Sequence, residues 1–80
     1  MYYAYIIESA TTGRWYYGHA EDVAERLNRH QEGRSKATKG RGPWELVAAK
    51  GFGTRAEAMA FERTLKAAKN KAYALALIRA

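Results

Sequence analysis

The chain has 80 residues, of which 14 are Lys or Arg and 8 are Asp or Glu, so its formal net charge at pH 7 is +6. This length accommodates one domain over residues 1–80, and 48% hydrophobic residues supply the concentrated core that a small domain needs. The absence of cysteine excludes disulfide scaffolds, thiolate zinc sites and thiol catalysis, and two histidines argue against a zinc site built on histidine alone. No segment has the length of a membrane span or the form of a cleavable leader, so we expect a cytoplasmic protein.

The first part of the chain predicts a β-hairpin. Residues 2–8 are aromatic and β-branched, which is typical of a strand, and residues 14–18 are expected to pair back after a turn over residues 9–13. Because side chains alternate across a strand, three residues of the first strand are expected to share a face: Tyr3, Tyr5 and Ile7.

A helix is predicted over residues 20–31. Its acidic residues come early and its basic residues come late, which suits the helix dipole. Val23 and Leu27 are four residues apart and mark the buried stripe. Arg26 and His30 have the same spacing, so they are expected to project from a neighbouring stripe.

The last part of the chain predicts a third strand over residues 44–50 and a helix that begins after Thr54. Thr54 and Glu57 have the spacing of a capping box. The helix is expected to run to about residue 69 with an apolar stripe of Ala58, Phe61 and Leu65. Glu62 falls at the edge of that stripe, where a carboxylate is costly unless a cation or metal compensates it.

Asn70 is expected to break the helical pattern or cap a further helix that runs to about residue 79. The sequence leaves open whether one helix or two cover residues 54–79. The fold class predicted from all these elements is α+β, with a small three-stranded antiparallel sheet flanked by two or three helices.

The positive charge is concentrated in one segment. Residues 26–55 contain eight basic and two acidic residues, so the whole excess lies there. The densest part, residues 33–43, is rich in glycine, which is typical of a loop. Such a loop either contacts phosphates or is simply solvated, and a polyanion such as nucleic acid is the first candidate partner. The loop residues expected to contact nucleic acid are Arg34, Lys36, Lys39 and Arg41.

Two short motifs and three single residues, in this order, resemble the GIY-YIG nuclease domain family. The motifs are Tyr3-Ala4-Tyr5 and Tyr16-Tyr17-Gly18, and they are followed by Arg26, His30 and Glu62. Each motif is weak alone, but five matches in order with agreeing helix spacing make a specific signal. The resemblance is greatest to the short single-domain bacterial members and more distant to the N-terminal nuclease domain of the bacterial excinuclease.

The sequence departs from the family pattern at a few positions. His19 follows the second motif where a small or β-branched residue is commoner, and Ala37 stands where the short members often have an aromatic. Asn70 is only a weak match to an asparagine that some members use near the active site. None of these departures removes a central position of the family.

The resemblance implies hydrolysis of DNA phosphodiester bonds with one Mg²⁺ or Mn²⁺ ion, in repair or recombination. Glu62 would coordinate the metal, Arg26 would contact the scissile phosphate, and Tyr16 would be the general base. His30 would accept the proton of Tyr16, because histidine titrates near neutrality, and Tyr5 would orient water or a phosphate oxygen. Lys66, one turn after Glu62, is added to the residues expected to contact nucleic acid.

Three alternatives remain at this level. Without the family, both tyrosines are interpreted as ordinary strand residues, Arg26 as a surface residue, and Glu62 as the ion-pair partner of Lys66. The chain could also be a nucleic-acid-binding module with weak or no turnover, or an RNA- or ribosome-associated structural protein. DNA is the first expected partner and RNA the second; a homodimer or a protein partner would supply targeting.

Overall fold

The computed structural model of the chain describes residues 1–33 and 39–80. It contains six elements: β1 (Tyr2–Ser9), β2 (Trp15–Ala20), α1 (Val23–Gln31), β3 (Trp44–Phe52), α2 (Arg55–Lys66) and α3 (Lys71–Arg79). The strands form one antiparallel sheet in the order β2-β1-β3. The predicted α+β fold is thereby confirmed. Within the described ranges, no helix combines the length and apolar character needed to cross a membrane.

The start of α1 differs from the prediction. Ala20 pairs with Tyr3 as the last residue of β2, so the helix cannot begin there. It begins at Val23 instead, after Asp22, whose carboxylate accepts a hydrogen bond of 3.0 Å from the backbone N–H of Glu25. The sequence signal was misleading because an isolated stretch does not reveal a long-range strand pairing.

The C-terminal part forms two helices. Thr54 caps α2: its hydroxyl accepts from the Glu57 N–H at 3.2 Å and donates to the Glu57 carboxylate at 3.1 Å. The helix ends at Lys66, earlier than predicted. Asn70 then caps α3 by accepting the N–H of Tyr73 at 2.9 Å. The side chain of Asn70 therefore caps the N-terminus of α3.

The sheet is covered on both faces, which explains why the central strand β1 is almost entirely buried. One core consists of Ala4, Ile6, Leu65, Ala74 and Ile78 and joins the sheet to α2 and α3. The other consists of Tyr5, Ile7, Ala20 and Trp44, with Val23 and Leu27 of α1 packed against it. Helix α1 therefore lies on one face of the sheet, and α2 and α3 lie on the other.

The strand register decides which side chains of β2 point to which helix. Tyr5 pairs with Gly18, and Ala4 pairs with His19. Because side chains alternate, Gly18 and Tyr16 belong to the α1 face, together with Tyr5. His19 belongs to the opposite face, where α2 packs. The edge strand β2 thus presents residues to both helices.

Candidate active site

The side chain of Tyr5 lies directly over Gly18. A Cβ atom at Gly18 would lie 2.5 Å from the hydroxyl oxygen and 2.6 Å from Cζ of Tyr5. Tyr5 is only 2% exposed, so its ring has no free space into which to move. The close approach gives a physical reason for a glycine two residues after Tyr16.

Replacing Gly18 by Ala is expected to lower the free energy of unfolding by about 1–3 kcal/mol, because the new methyl group overlaps Tyr5. Thermal or urea unfolding measures the loss. Gly53→Ala is the matched control, since a Cβ there meets only Glu57 Oε1, at 3.7 Å. In a Tyr5→Ala background the Gly18 substitution should cost clearly less. An equal cost in both backgrounds would contradict the overlap.

Tyr5 forms a buried hydrogen bond with His30. Its hydroxyl oxygen lies 3.0 Å from Nε2. Burial and the neighbouring Tyr16 raise the pKa of Tyr5 to about 12, although Arg26 opposes the rise. Burial and the charge of Arg26 lower the pKa of His30. At pH 7 we therefore assign a phenol that donates to a neutral imidazole, which carries its own proton on Nδ1.

Tyr16 and Trp44 pack around the same imidazole. The His30 ring centroid lies 5.0 Å from that of Tyr16 and 6.3 Å from that of Trp44. His30 is thus in contact with the tyrosines of both strands, while the hydrogen bond described above goes to Tyr5. The rings of Tyr16 and His30 are close enough for proton transfer between the two side chains. That His30 accepts the proton of Tyr16 stays a prediction.

The buried neutral His30 is expected to make the fold sensitive to mild acid. Its pKa is lowered on folding, so between about pH 6.5 and the lower folded value the unfolded chain binds more protons. Stability should therefore fall as the pH drops below about 6.5. Urea unfolding at a series of pH values measures the slope. The slope should be shallower in His30→Gln; equal slopes in both proteins would contradict the assignment.

Glu62 has a donor on each carboxylate oxygen. Oε1 lies 2.6 Å from Nδ1 of His19, and Oε2 lies 2.6 Å from Nζ of Lys66. Burial alone would raise the pKa of Glu62, but the hydrogen bonds from Lys66 and His19 outweigh it and lower the pKa. The carboxylate is therefore ionised at pH 7. The ion pair with Lys66 is the one that the alternative interpretation of Glu62 expected.

His19, a residue of β2, contacts both α1 and α2. Its carbonyl oxygen accepts a hydrogen bond of 3.4 Å from Nη1 of Arg26, and its ring contacts Glu62. In addition, Nε of Arg26 is buried and has no hydrogen-bond partner among the described residues. Sequence reasoning noticed His19 only as a departure from the family pattern. The available signal was strand alternation, which turns His19 away from the face of Gly18 and toward α2.

The five predicted active-site residues form one cluster around β2. Tyr16, Arg26 and Glu62 lie close enough to Tyr5 to influence its pKa, and the Tyr5 hydroxyl is hydrogen-bonded to His30. Beside the cluster lies an open cleft of about 250 Å³. Its lining has mixed charge, because it contains Arg26 and other basic side chains together with acidic residues at the start of α1.

The residues predicted to contact nucleic acid are only partly described. Lys39 and Arg41 are exposed beyond the end of α1. The carbonyl of Arg41 accepts a hydrogen bond of 2.5 Å from Ser9, which fixes that end of the loop to β1. Arg34 and Lys36 lie outside the described residues. The ammonium of Lys66 forms an ion pair with Glu62. A contact between Lys66 and nucleic acid stays a prediction.

Glu62 is the residue best suited to hold a metal ion. Among the described residues, no group of three or more His, Cys, Asp or Glu side chains converges. A single half-buried carboxylate nevertheless fits Mg²⁺, which commonly keeps several waters and takes one or two protein carboxylates. An ion at Glu62 would take the place of the Lys66 ammonium, whose side chain is 53% exposed and free to withdraw into water.

Comparisons with known proteins match this arrangement. A family model described as the GIY-YIG catalytic domain matches residues 1–74. The UPF0213 protein BH0048 of Halalkalibacterium halodurans is 42% identical over 66 residues, which covers 81% of this chain and 69% of that protein. Structure-specific endonuclease subunit SLX1 of Homo sapiens is 37% identical over 67 residues, covering 78% of this chain but 24% of that protein.

One solved structure is also similar. The solution NMR structure of the UPF0213 protein BH0048 from Bacillus halodurans aligns with a TM-score of 0.54 at 39% identity, covering 90% of this chain and 78% of that chain. The span matched by the family model includes every residue of the cluster around β2.

Proposed function

Because the chain belongs to the GIY-YIG catalytic domain family, we propose that it is an endonuclease that hydrolyses DNA phosphodiester bonds with one Mg²⁺ or Mn²⁺ ion. The observation that carries the proposal is the convergence of Tyr16, Arg26 and Glu62 around the edge strand β2. Hydrolysis needs an activated water, positive charge at the phosphate and help for the leaving oxygen. This cluster contains a side chain of the right type for each need.

Arg26 binds the scissile phosphate in this proposal. Its Nε is buried and has no hydrogen-bond partner within residues 1–33 and 39–80, and its Nη1 donates a long hydrogen bond to the His19 carbonyl. A planar guanidinium matches two phosphate oxygens at once, and a phosphate would satisfy the orphaned Nε–H. The negative charge that develops in the transition state is thereby stabilised.

Glu62 would hold the metal ion, which would supply Lewis-acid stabilisation of the charge that develops in the reaction. The carboxylate is already ionised, so no proton has to leave before a cation binds. Lys66 pairs with Oε2 of Glu62 and would be released toward DNA if a cation took its place. The rigid helix α2 holds the carboxylate in position.

Tyr16 takes the proton of the attacking water as its own phenol proton passes to His30, whose Nε2 becomes free for it when the hydroxyl of Tyr5 turns away. The neutral imidazole packs against the Tyr16 ring at 5.0 Å, so it is in the correct state to receive a proton. Tyr5, with a pKa of about 12, stays protonated. Its hydroxyl therefore acts as a hydrogen-bond donor that keeps the imidazole in place until that transfer.

The substrate is proposed to be branched or flap-containing DNA. The similarity to a protein named as a structure-specific endonuclease subunit supports this choice, although this chain spans about a quarter of that protein. The test is cleavage of a labelled flap duplex and of a matched linear duplex, with Mg²⁺ or Mn²⁺ and with EDTA. Cleavage of the flap that EDTA abolishes is the expected result. Intact DNA under all conditions would refute the proposal.

The exposed side chains of Lys39 and Arg41 are expected to carry DNA affinity. Changing Lys39 or Arg41 to Ala should each reduce the slope of log K against log salt by about one, because each removes one phosphate contact. Fluorescence anisotropy with a labelled oligonucleotide measures the slope. Lys69→Ala, at an exposed position between α2 and α3, is the control. Unchanged slopes for both loop variants would mean that the loop is only solvated.

The second candidate function is a nucleic-acid-binding module without useful turnover. The observation that favours it is the pairing of both Glu62 oxygens with His19 and Lys66, which can compete with a metal ion. The flap assay separates the two functions, since the module would bind the substrate tightly and leave it intact.

A further inference from the structure

The imidazole of His19 is a second group that can bind a metal ion, and it faces Glu62, the proposed metal ligand. Nδ1 of His19 lies 2.6 Å from Oε1 of Glu62, and the two side chains keep 27% and 14% of their surfaces exposed. Both are supported by regular structure, because His19 pairs with Ala4 in the sheet and Glu62 lies within α2. A nitrogen and an oxygen donor are thus held together at a place that an ion can reach from solvent.

These two donor types bind divalent ions unequally. Mg²⁺ prefers oxygen ligands and gives up its waters reluctantly, whereas the affinity of imidazole rises from Mn²⁺ along the first transition row. A lone carboxylate discriminates weakly between Mg²⁺ and Mn²⁺. An added imidazole shifts the preference toward Mn²⁺.

We propose that His19 is a metal ligand together with Glu62, and that it gives this site a preference for Mn²⁺ over Mg²⁺. Two neighbouring donors on an ion with bonds of about 2.1 Å lie about 3 Å apart, so the present 2.6 Å separation needs only a small opening. Nδ1 donates to Glu62 in the present contact, so an ion binds there only when the proton of the neutral ring resides on Nε2 instead. The inference rests on the proposed function for the use of the ion.

The test measures metal binding by the intact chain without DNA. Electron paramagnetic resonance of free Mn²⁺ gives the Mn²⁺ affinity, and competition gives the Mg²⁺ affinity. In His19→Ala we expect Mn²⁺ binding to weaken about tenfold and Mg²⁺ binding to change less than about threefold. The Mn²⁺ and Mg²⁺ affinities are compared within the same variant. A smaller fraction of folded protein would lower both apparent affinities equally, so their ratio would not change.

Two further variants identify the origin of the effect. Lys66→Gln removes a competing cation from Glu62 and should raise both affinities together, leaving their ratio unchanged. Glu62→Gln should abolish the binding of both ions. If His19→Ala weakened Mg²⁺ and Mn²⁺ equally, His19 would only orient Glu62, and the inference would be overturned. Mn²⁺ binding that persists in Glu62→Gln would also overturn it.

The outcome is separable from that of the proposed function. A Mn²⁺ preference that disappears in His19→Ala, in a chain that leaves flap DNA intact, would refute the nuclease and support the metal site. Cleavage by a chain whose affinity ratio does not respond to His19→Ala would support the nuclease and refute this inference.

Discussion

Replacing Glu62 by Gln is expected to lower metal-dependent cleavage of flap DNA by about 10³-fold, equivalent to ~4 kcal/mol of transition-state free energy. The amide keeps the shape of the side chain and removes the negative charge that would hold the ion. Lys66 is half exposed and can turn to water, so the loss of its partner should change stability little. Single-turnover cleavage with saturating DNA isolates the chemical step.

Glu57→Gln is the matched control for Glu62→Gln. It removes a carboxylate from the first turn of the same helix, where Gln preserves the capping box with Thr54. Cleavage by this variant should equal that of the unmodified chain. Equal rates for the Glu57 and Glu62 variants would contradict the assignment of Glu62 as the metal ligand.

Replacing Arg26 by Lys is expected to lower the cleavage rate by about 10²-fold, with only a small change in DNA affinity. Lysine keeps the positive charge but lacks the planar fork and the buried Nε–H of arginine. Affinity should persist because the phosphate contacts proposed for the exposed Lys39 and Arg41 are unchanged in this variant. Cleavage kinetics and anisotropy on the same samples measure the two quantities.

Arg29→Lys is the control on the same helix. Arg29 is exposed and forms a surface ion pair of 2.8 Å with Glu25, so its substitution should leave cleavage unchanged. If the Arg26 variant weakened binding and cleavage by equal factors, Arg26 would contribute general affinity only. Its assignment to the scissile phosphate would then fail.

The elements and much of the site could be predicted because their signals are local. Alternation placed Tyr5 and Ile7 on one face of β1, and helical spacing placed Glu62 at the edge of the core. Thr54 capped α2 as its spacing with Glu57 predicted. The resemblance to the GIY-YIG family explained these local observations jointly. The match of the family model to residues 1–74 confirms that resemblance.

The features that the sequence missed depend on contacts between distant elements. The link from Arg26 through His19 to Glu62 requires knowing that α1 and α2 cover opposite faces of the sheet. Similarly, Tyr5 and Tyr16 share a face, so periodicity alone could not decide which of them binds His30. The close approach of Tyr5 likewise explains Gly18 only after the strand register is known.

The most direct test of the central claim is a crystal structure of the Tyr16→Phe variant with a flap-containing DNA and Mn²⁺, with the ion located by its anomalous scattering. The claim is that Glu62 and Arg26 hold the metal and the scissile phosphate in one site around β2. The expected result is an anomalous peak within bonding distance of the Glu62 carboxylate and a phosphate oxygen on Nε of Arg26. An ion bound away from Glu62, or DNA bound with no phosphate at Arg26, would contradict the account.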